Sequence, residues 1–133
     1  MTLANTSGTS EHDPSYTVIV ARQGDRFLMV RHRERGWELP GGKVEDAEGP
    51  VHCALREFRE ETGHLLGAPK FVMKLQRPNG TCFVFTGHLG SQVGGMDDEA
   101  IVEMDWFVSL PEGLAFPDDP YEEMGEALGF PFR

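Results

Sequence analysis

Three glutamates near the middle of the chain have a spacing that could bind metal ions. Glu57, Glu60 and Glu61 follow one another at intervals of three and one residues. On a helix this spacing puts the three carboxylates on one face, with Arg56 and Arg59 on the other flank, so we expect these arginines not to neutralise the three carboxylates directly. Two like charges about 4 Å apart repel by roughly 4 kcal/mol at an effective dielectric near 20. Such a cluster at the edge of a core is therefore best explained by cations that bind it.

The chemistry of this cluster favours Mg²⁺ or Mn²⁺. Its potential ligands are all oxygens, which these hard cations prefer. Cys53 and Cys82 are isolated and form no C-x-x-C pair, which argues against a zinc site. No D-x-D-x-D-G loop is present, so a calcium EF-hand is excluded. Taken alone, the three glutamates could equally be a solvated acidic helix face.

A longer pattern surrounds the glutamates and favours a metal site over a solvated helix face. From Gly42, one glutamate follows after five residues and an Arg-Glu pair after seven more, then Phe-Arg-Glu-Glu-Thr-Gly. This segment resembles the Nudix box, G-x5-E-x7-R-E-U-x-E-E-x-G-U, where U is a bulky apolar residue. Phe58 fits the first U position, whereas His64 departs from the last. All seven fixed positions match: Gly42, Glu48, Arg56, Glu57, Glu60, Glu61 and Gly63.

The resemblance implies which residues bind metal. Glu57, Glu60 and Glu61 would be ligands, and Glu57 would also be a candidate general base. The backbone carbonyl of Gly41 would add a ligand, since a glycine lets a metal approach the main chain closely. Glu48 would contact a metal through water.

Other matched residues are expected to support the site. Arg56 would form a salt bridge with Glu48 that fixes the loop on the helix, while Gly42 and Gly63 would complete the framework. A further carboxylate is expected from the acidic C-terminal third, because three glutamates and one carbonyl cannot fill the shells of two or more octahedral metals. We rank Glu103 first as this additional catalytic residue, with Glu99 next.

The implied activity is Mg²⁺-dependent hydrolysis of a diphosphate linkage in a nucleoside diphosphate-X substrate. A nucleoside triphosphate pyrophosphohydrolase similar to MutT is the favoured form. An ADP-ribose or dinucleoside polyphosphate hydrolase is an alternative, for which Pro78, fifteen residues after Gly63, is a weak hint. A non-catalytic nucleotide-binding regulatory module is an alternative of another class, and the intact glutamates argue against it.

Candidate substrate-binding residues flank the motif. Arg31, Arg33 and Arg35 lie just before the glycine loop and could reach phosphate oxygens. Phe83 could stack on a base. Solvated arginines at a strand end, and an aromatic residue of the core, are the structural alternatives for these positions.

The charge distribution limits the partners. The net charge is −10, and residues 91–133 hold eleven acids against Arg133 alone. This surface would repel duplex nucleic acid. No apolar run approaches the roughly 20 residues of a membrane helix. Two free cysteines fit a cytoplasmic protein, which we expect to be a monomer or homodimer that binds a small nucleotide or nucleotide derivative.

The predicted elements place the motif in an α+β domain. Residues 1–15 are expected to be a flexible tail, and residues 16–133 a single Nudix hydrolase domain. A helix is predicted over 50–62, with Val51, Ala54, Leu55 and Phe58 as its apolar stripe. A hairpin is predicted around Asn79-Gly80. The fold class is an α/β/α sandwich, a mixed sheet flanked by helices, with the remaining elements at 16–22, 26–31, 37–40, 71–75, 81–88, 101–108 and 121–128.

Overall fold

The computed structural model describes residues 14–97, 99–130 and 132, so most of the predicted tail lies outside the described residues. Within these ranges the chain forms two helices, α1 (Pro50–Thr62) and α2 (Tyr121–Leu128). Neither is long and apolar enough to cross a membrane. The strands in the same ranges are β1 (Ser15–Gln23), β2 (Arg26–His32), β3 (Gly36–Glu38), β4 (Gly41–Lys43), β5 (His64–Arg77), β6 (Gly80–Gln92) and β7 (Ile101–Phe107).

The strands form one mixed sheet, as predicted. Its main order is β3-β2-β1-β6-β5, with β4 paired to β1 and β7 paired to β2. The β1–β6 pair is parallel, whereas the neighbouring pairs are antiparallel. Strand β1 therefore lies at the centre of the sheet, and its N-terminal half is next to the short glycine strand β4.

The two helices cover opposite faces of the sheet. Along β1, Ile19 packs with Ala54 and Phe58 of α1. Its neighbour Val20 packs with Tyr121 of α2 and with Phe27 in a second cluster. Successive side chains of a strand point to opposite faces, so one strand contributes to both cores. This arrangement confirms the predicted α/β/α sandwich.

Helix α1 has the predicted limits, but its apolar stripe differs at the start. Gly49 precedes the helix, and Gly63 ends it in a left-handed conformation with φ 75°, which glycine adopts without steric cost. Val51 was predicted to be buried and is 42% exposed. Cys53 occupies the buried position in the first turn instead, since a free thiol packs as a small hydrophobic group.

The hairpin strands are longer than the sequence pattern indicated. Strand β5 begins at His64, seven residues before the predicted start, and its pairing with β6 shifts register at three points. One irregularity spans Gly67 to Lys70 and contains Ala68 at a positive φ of 47°. Such irregular pairing breaks the alternation of apolar and polar residues, and so hides the strand from pattern analysis.

Candidate active site

The glycine strand β4 lies directly against helix α1. A Cβ atom at Gly42 would overlap the Glu57 carboxylate, and one at Gly41 would overlap the Thr17 carbonyl oxygen. The Cys53 thiol contacts the Lys43 carbonyl at 3.4 Å and the Thr17 hydroxyl at 3.4 Å, linking the helix to both strands. Glycine is therefore required at these two positions because the Thr17 backbone and the Glu57 carboxylate occupy the space of a Cβ.

Arg56 is the centre of the charge network on this helix. Its guanidinium makes two bonds to Glu48, from Nε to Oε2 at 2.7 Å and from Nη2 to Oε1 at 3.0 Å. Nη1 donates to Glu57 Oε2 at 3.2 Å and to Glu60 Oε1 at 3.1 Å. Nη2 also donates to the Lys43 carbonyl at 3.2 Å, so the side chain joins the loop to the helix. The salt bridge between Glu48 and Arg56 that the resemblance implied is present.

The expectation that Arg56 leaves the glutamates unneutralised is wrong. Backbone periodicity places its Cβ on another flank of α1, but the side chain is long enough to reach Glu57 and Glu60. Glu60 lies four residues after Arg56, a spacing at which helical side chains meet. The bidentate bond to Glu48 fixes the guanidinium plane over the helix, which presents its remaining N–H groups to the carboxylates.

Burial and hydrogen bonding shift the pKa values of the acids at this site in opposite directions. Burial raises the pKa of Glu61 to about 8, although the Gly41 N–H donates to its Oε1 at 3.1 Å and opposes that rise. Burial also raises the pKa of Glu57, against the opposite effect of Arg56. The hydrogen bonds from Arg56 lower the pKa of Glu48 to about 2. Glu57 and Glu61 are thus carboxylates that a bound cation would stabilise.

The residues fit a hard divalent cation in their chemistry. Glu57, Glu60 and Glu61 supply oxygen donors from one helix, and Glu57 and Glu61 lie directly against the glycine strand. In the part of the chain that the structure describes, no three His, Cys, Asp or Glu side chains converge on a preformed metal site. The reason is that Glu57 and Glu60 turn toward Arg56 while Glu61 turns toward Gly41. Each of the three carboxylates has a second oxygen that these hydrogen bonds do not engage.

The three arginines predicted to bind substrate phosphates differ in their partners and in their distance from the glycine strand. Arg31 donates from Nε to Glu103 Oε1 at 3.0 Å, and Arg33 donates from Nε to the Glu99 carbonyl at 3.1 Å. Arg35 makes two bonds of 3.2 Å to the buried Glu38 carboxylate. Of the three arginines, Arg35 lines the cleft beside the glycine strand. Phe83 packs instead against the cluster under α1, consistent with its interpretation as a core residue.

The structure does not bring Glu103 to the helix carboxylates. On β7, Met104 and Trp106 pack on the face covered by α1. Glu103 alternates with them and shares the opposite face with Phe107, which packs in the α2 cluster. The segment before β7 is closer to the helix, because the Val93 and Gly94 N–H groups donate to the Gly63 carbonyl at 2.8 and 3.0 Å. Glu99 lies further along this segment, where its carbonyl accepts a hydrogen bond from Arg33, and the additional acid stays a prediction for both Glu103 and Glu99.

A cleft next to the glycine strand contains residues that the sequence did not suggest. It has a volume of about 210 Å³ and adjoins a second cavity of about 350 Å³. Both are lined by the same four side chains, Tyr16, Asn79, Phe116 and Asp119. Burial raises the pKa of Asp119. Among the described residues, no side-chain hydrogen bond or ion pair reaches its carboxyl group.

Sequence reasoning missed these four residues because they come from three separate segments. Tyr16 begins β1, Asn79 forms the β5–β6 turn, and Phe116 and Asp119 precede α2. In the sequence alone, the helix dipole accounts for the aspartates before Tyr121, and a turn accounts for Asn79. The available signal is Phe116, a large aromatic residue in the otherwise turn-like segment Phe116-Pro-Asp-Asp119.

Comparisons with solved structures support this fold. An ADP-ribose pyrophosphatase from Streptococcus suis superposes with a TM-score of 0.74 at 22% identity, covering 88% of this chain and 90% of that one. The pyrophosphohydrolase BsRppH of Bacillus subtilis gives 0.68 at 24% identity, covering 88% and 80%. At these identities the likeness concerns the fold alone.

Curated relatives match a shorter part of the chain. A Bacillus subtilis protein named as a candidate 8-oxo-dGTP diphosphatase is 41% identical over 59 residues, which are 44% of this chain and 37% of that protein. An RNA pyrophosphohydrolase of Xanthomonas oryzae is 36% identical over 73 residues, covering 50% and 36%. The chain thus spans well under two thirds of these relatives. The NUDIX domain model, however, matches residues 11–123, and the chain therefore belongs to the NUDIX domain family.

Proposed function

We propose that the protein is a Mg²⁺- or Mn²⁺-dependent hydrolase that cleaves a diphosphate linkage in a nucleoside diphosphate-X substrate, with nucleoside triphosphates favoured. The observation that carries the proposal is the close approach of acidic side chains to the glycine strand. Glu57 lies against Gly42, Glu61 is bound by the Gly41 N–H, and both glycines line the cleft. Acids and cleft are therefore separated by a single short strand.

The end of the cleft near β4 suits phosphate groups. Lys43 lines it and supplies positive charge in a strongly acidic protein, and Arg35, which pairs with Glu38 and contacts Phe116, is a second cation of the cleft. A divalent cation bound by Glu57, Glu60 and Glu61 would neutralise diphosphate oxygens and lower the pKa of a water molecule. Glu48 and Arg56 hold the helix against the loop, so the carboxylates keep their place beside the substrate.

Glu57 is the preferred general base on the helix. Its carboxylate is 16% exposed and hydrogen-bonded to Arg56 at 3.2 Å, so one oxygen is oriented while the group stays accessible. A base must be positioned within hydrogen-bond reach of the proton that it removes. The additional acid from the C-terminal third stays a prediction, for which Glu99 and Glu103 are the candidates.

The far end of the cleft suits a nucleobase. The Tyr16 and Phe116 rings offer apolar surface, and Asn79 and Asp119 offer hydrogen-bonding groups. The names of two relatives refer to an 8-oxo-dGTP diphosphatase and an RNA pyrophosphohydrolase, which supports a nucleotide as the substrate. An ADP-ribose or dinucleoside polyphosphate substrate places a second group beyond the phosphates. A regulatory module would bind nucleotide without hydrolysing it.

A nucleotide panel tests the proposal. Purified protein with MgCl₂ would be incubated with nucleoside triphosphates, ADP-ribose and a dinucleoside polyphosphate, and the products identified by ³¹P NMR. We expect a nucleoside monophosphate and pyrophosphate from at least one triphosphate, and no turnover in excess EDTA. Faster cleavage of ADP-ribose would favour the alternative substrate. Tight binding of a nucleotide without any product would favour the regulatory module, and full activity in EDTA would exclude the metal mechanism.

A further inference from the structure

A short segment, residues 115–119, forms one wall of both cavities, and we call it the strap. At its beginning the Ala115 N–H donates to the Trp37 carbonyl at 2.8 Å, next to strand β3. At its end it approaches Arg77, the last residue of β5. The strap therefore crosses the cleft from strand β3, at the edge of the sheet, to the β5–β6 turn. It contributes Phe116 and Asp119 to the lining of the cleft.

Most side chains of the strap are exposed, so their burial contributes little to holding the strap in place. Phe116 is 43% exposed, and Pro117 and Asp118 are also exposed. Within the strap, the Asp119 N–H donates to the Phe116 carbonyl at 3.1 Å, which closes a tight turn. The Phe116 ring centre lies 5.5 Å from the Arg35 guanidinium, which is half exposed and paired with Glu38. These contacts shape the turn and hold the Phe116 ring, and further bonds to the backbone fix the turn over the cleft.

Two side chains from outside the strap donate to its backbone carbonyls. Arg77 Nη2 donates to the Asp118 carbonyl at 3.1 Å. The Tyr121 hydroxyl donates to the Phe116 carbonyl at 3.1 Å, and its ring is 94% buried in the α2 core. A guanidinium donor and a hydroxyl on a rigid buried ring thus hold successive parts of one turn.

We propose that Arg77 and Tyr121 are positioning residues for substrate binding: they hold the strap so that Phe116 and Asp119 form the far wall of the cleft. They act through the strap backbone and not on the reacting atoms. The inference rests on the proposed function, since it takes the cleft to be the nucleotide site. It assigns to these two residues an effect on binding that is separate from the carboxylate chemistry of α1.

Two conservative variants test the proposal. Tyr121→Phe removes the hydroxyl and keeps the buried ring, and Arg77→Met removes the donor and keeps an unbranched apolar side chain. We expect faster amide hydrogen exchange at Asp118 and Asp119 in each variant. We also expect KM to rise by roughly tenfold for Arg77→Met, which loses a charged donor, and by about fivefold for Tyr121→Phe, which loses a neutral one, while kcat stays within about twofold. Arg26→Met, at an exposed arginine at the start of β2, is the matched control.

Binding of α,β-methylene ATP and GTP, measured by calorimetry with MgCl₂, separates this inference from the proposed activity. Weaker binding in both variants supports the inference even if the wild type shows no hydrolysis, in which case the proposed activity alone fails. Unchanged exchange in both variants would overturn the role of Arg77 and Tyr121 in holding the strap. Faster exchange with unchanged affinity would overturn its role in binding, and no affinity of the wild type for either analogue would overturn the inference altogether.

Discussion

The carboxylate side, behind the glycine strand, and the strap side, on the far wall of the cleft, are held in place by different interactions. On the carboxylate side, Arg56 joins Glu48, Glu57 and Glu60 through charge-assisted bonds of 2.7 to 3.2 Å on a helix packed against the sheet. On the strap side, one backbone bond joins Ala115 to Trp37, and Arg77 and Tyr121 each donate one bond to a backbone carbonyl. The carboxylate side is dense in contacts and charge, whereas the strap side is exposed and sparsely held.

This difference implies a division of roles. Groups that take part in chemistry must keep a fixed geometry, which the network around Arg56 and the packed helix provide. A wall that shapes a binding site can be held more weakly, because it contributes to affinity and not to the reacting geometry. Substitutions on the helix should therefore lower kcat, and substitutions on the strap should raise KM.

The largest effect is expected from Glu57→Gln compared with Phe116→Ala. Glu57→Gln keeps the size of the side chain and removes its charge, so kcat should fall by about 10³-fold, within the range for a general base. Phe116→Ala removes a cleft wall and should raise KM by roughly tenfold with little change in kcat. Steady-state kinetics on one nucleotide measure both. A loss of kcat in Phe116→Ala as large as in Glu57→Gln would contradict the division of roles.

The next largest effect is expected on the stability of the helix that carries the carboxylates. Phe58 is fully buried one residue after Glu57, and Phe58→Ala should lower the free energy of unfolding by about 3–5 kcal/mol. Val51→Ala, in the same helix but 42% exposed, is the control and should change it by less than about 1 kcal/mol. Urea denaturation monitored by tryptophan fluorescence gives both values. Equal losses at the two positions would show that the buried face of α1 is wrongly assigned.

A third test asks whether a carboxylate from residues 91–133 acts in catalysis together with the carboxylates of α1. Glu99→Gln should lower kcat at saturating Mg²⁺ by about 10²-fold if Glu99 is the additional acid. Glu103→Gln should lower it by less than about threefold, because this carboxylate pairs with Arg31 on the other sheet face. Asp105→Asn is the matched control on the same strand. The reverse order of Glu99 and Glu103 would restore the ranking made from the sequence.

The smallest expected effect is a pH dependence of stability in EDTA. The pKa of Glu61 is raised to about 8, so in the folded protein it keeps its proton above the pH at which an unfolded glutamate ionises. This group therefore lowers stability as pH rises from about 4.5 to 8. Glu61→Gln should melt a few degrees above wild type at pH 8, with the difference vanishing near pH 4.5. Glu122→Gln, on the exposed side of α2, should show no such trend, and a constant difference for Glu61→Gln across this range would refute the assignment.

The carboxylate side could be predicted from the sequence because its residues are close together along the chain. Helical periodicity and one motif over residues 42–64 locate Glu57 and Gly42, and the mixed sheet follows from the strand patterns. The direction of a long side chain does not follow from periodicity, so the contacts of Arg56 were missed. The hairpin that carries Asn79 was predicted, but the far wall was missed because Asn79 and Phe116 meet only through the tertiary fold.

Titration with Mn²⁺, followed by electron paramagnetic resonance of the free ion, tests most directly whether the helix carboxylates bind the cation. Wild-type protein should bind Mn²⁺ without substrate, and Glu60→Gln should weaken binding by at least about tenfold, since a charged ligand is lost. Glu112→Gln, an exposed acid outside the site, should bind as wild type does. Equal Mn²⁺ affinities for wild type, Glu60→Gln and Glu112→Gln would contradict the metal site on α1.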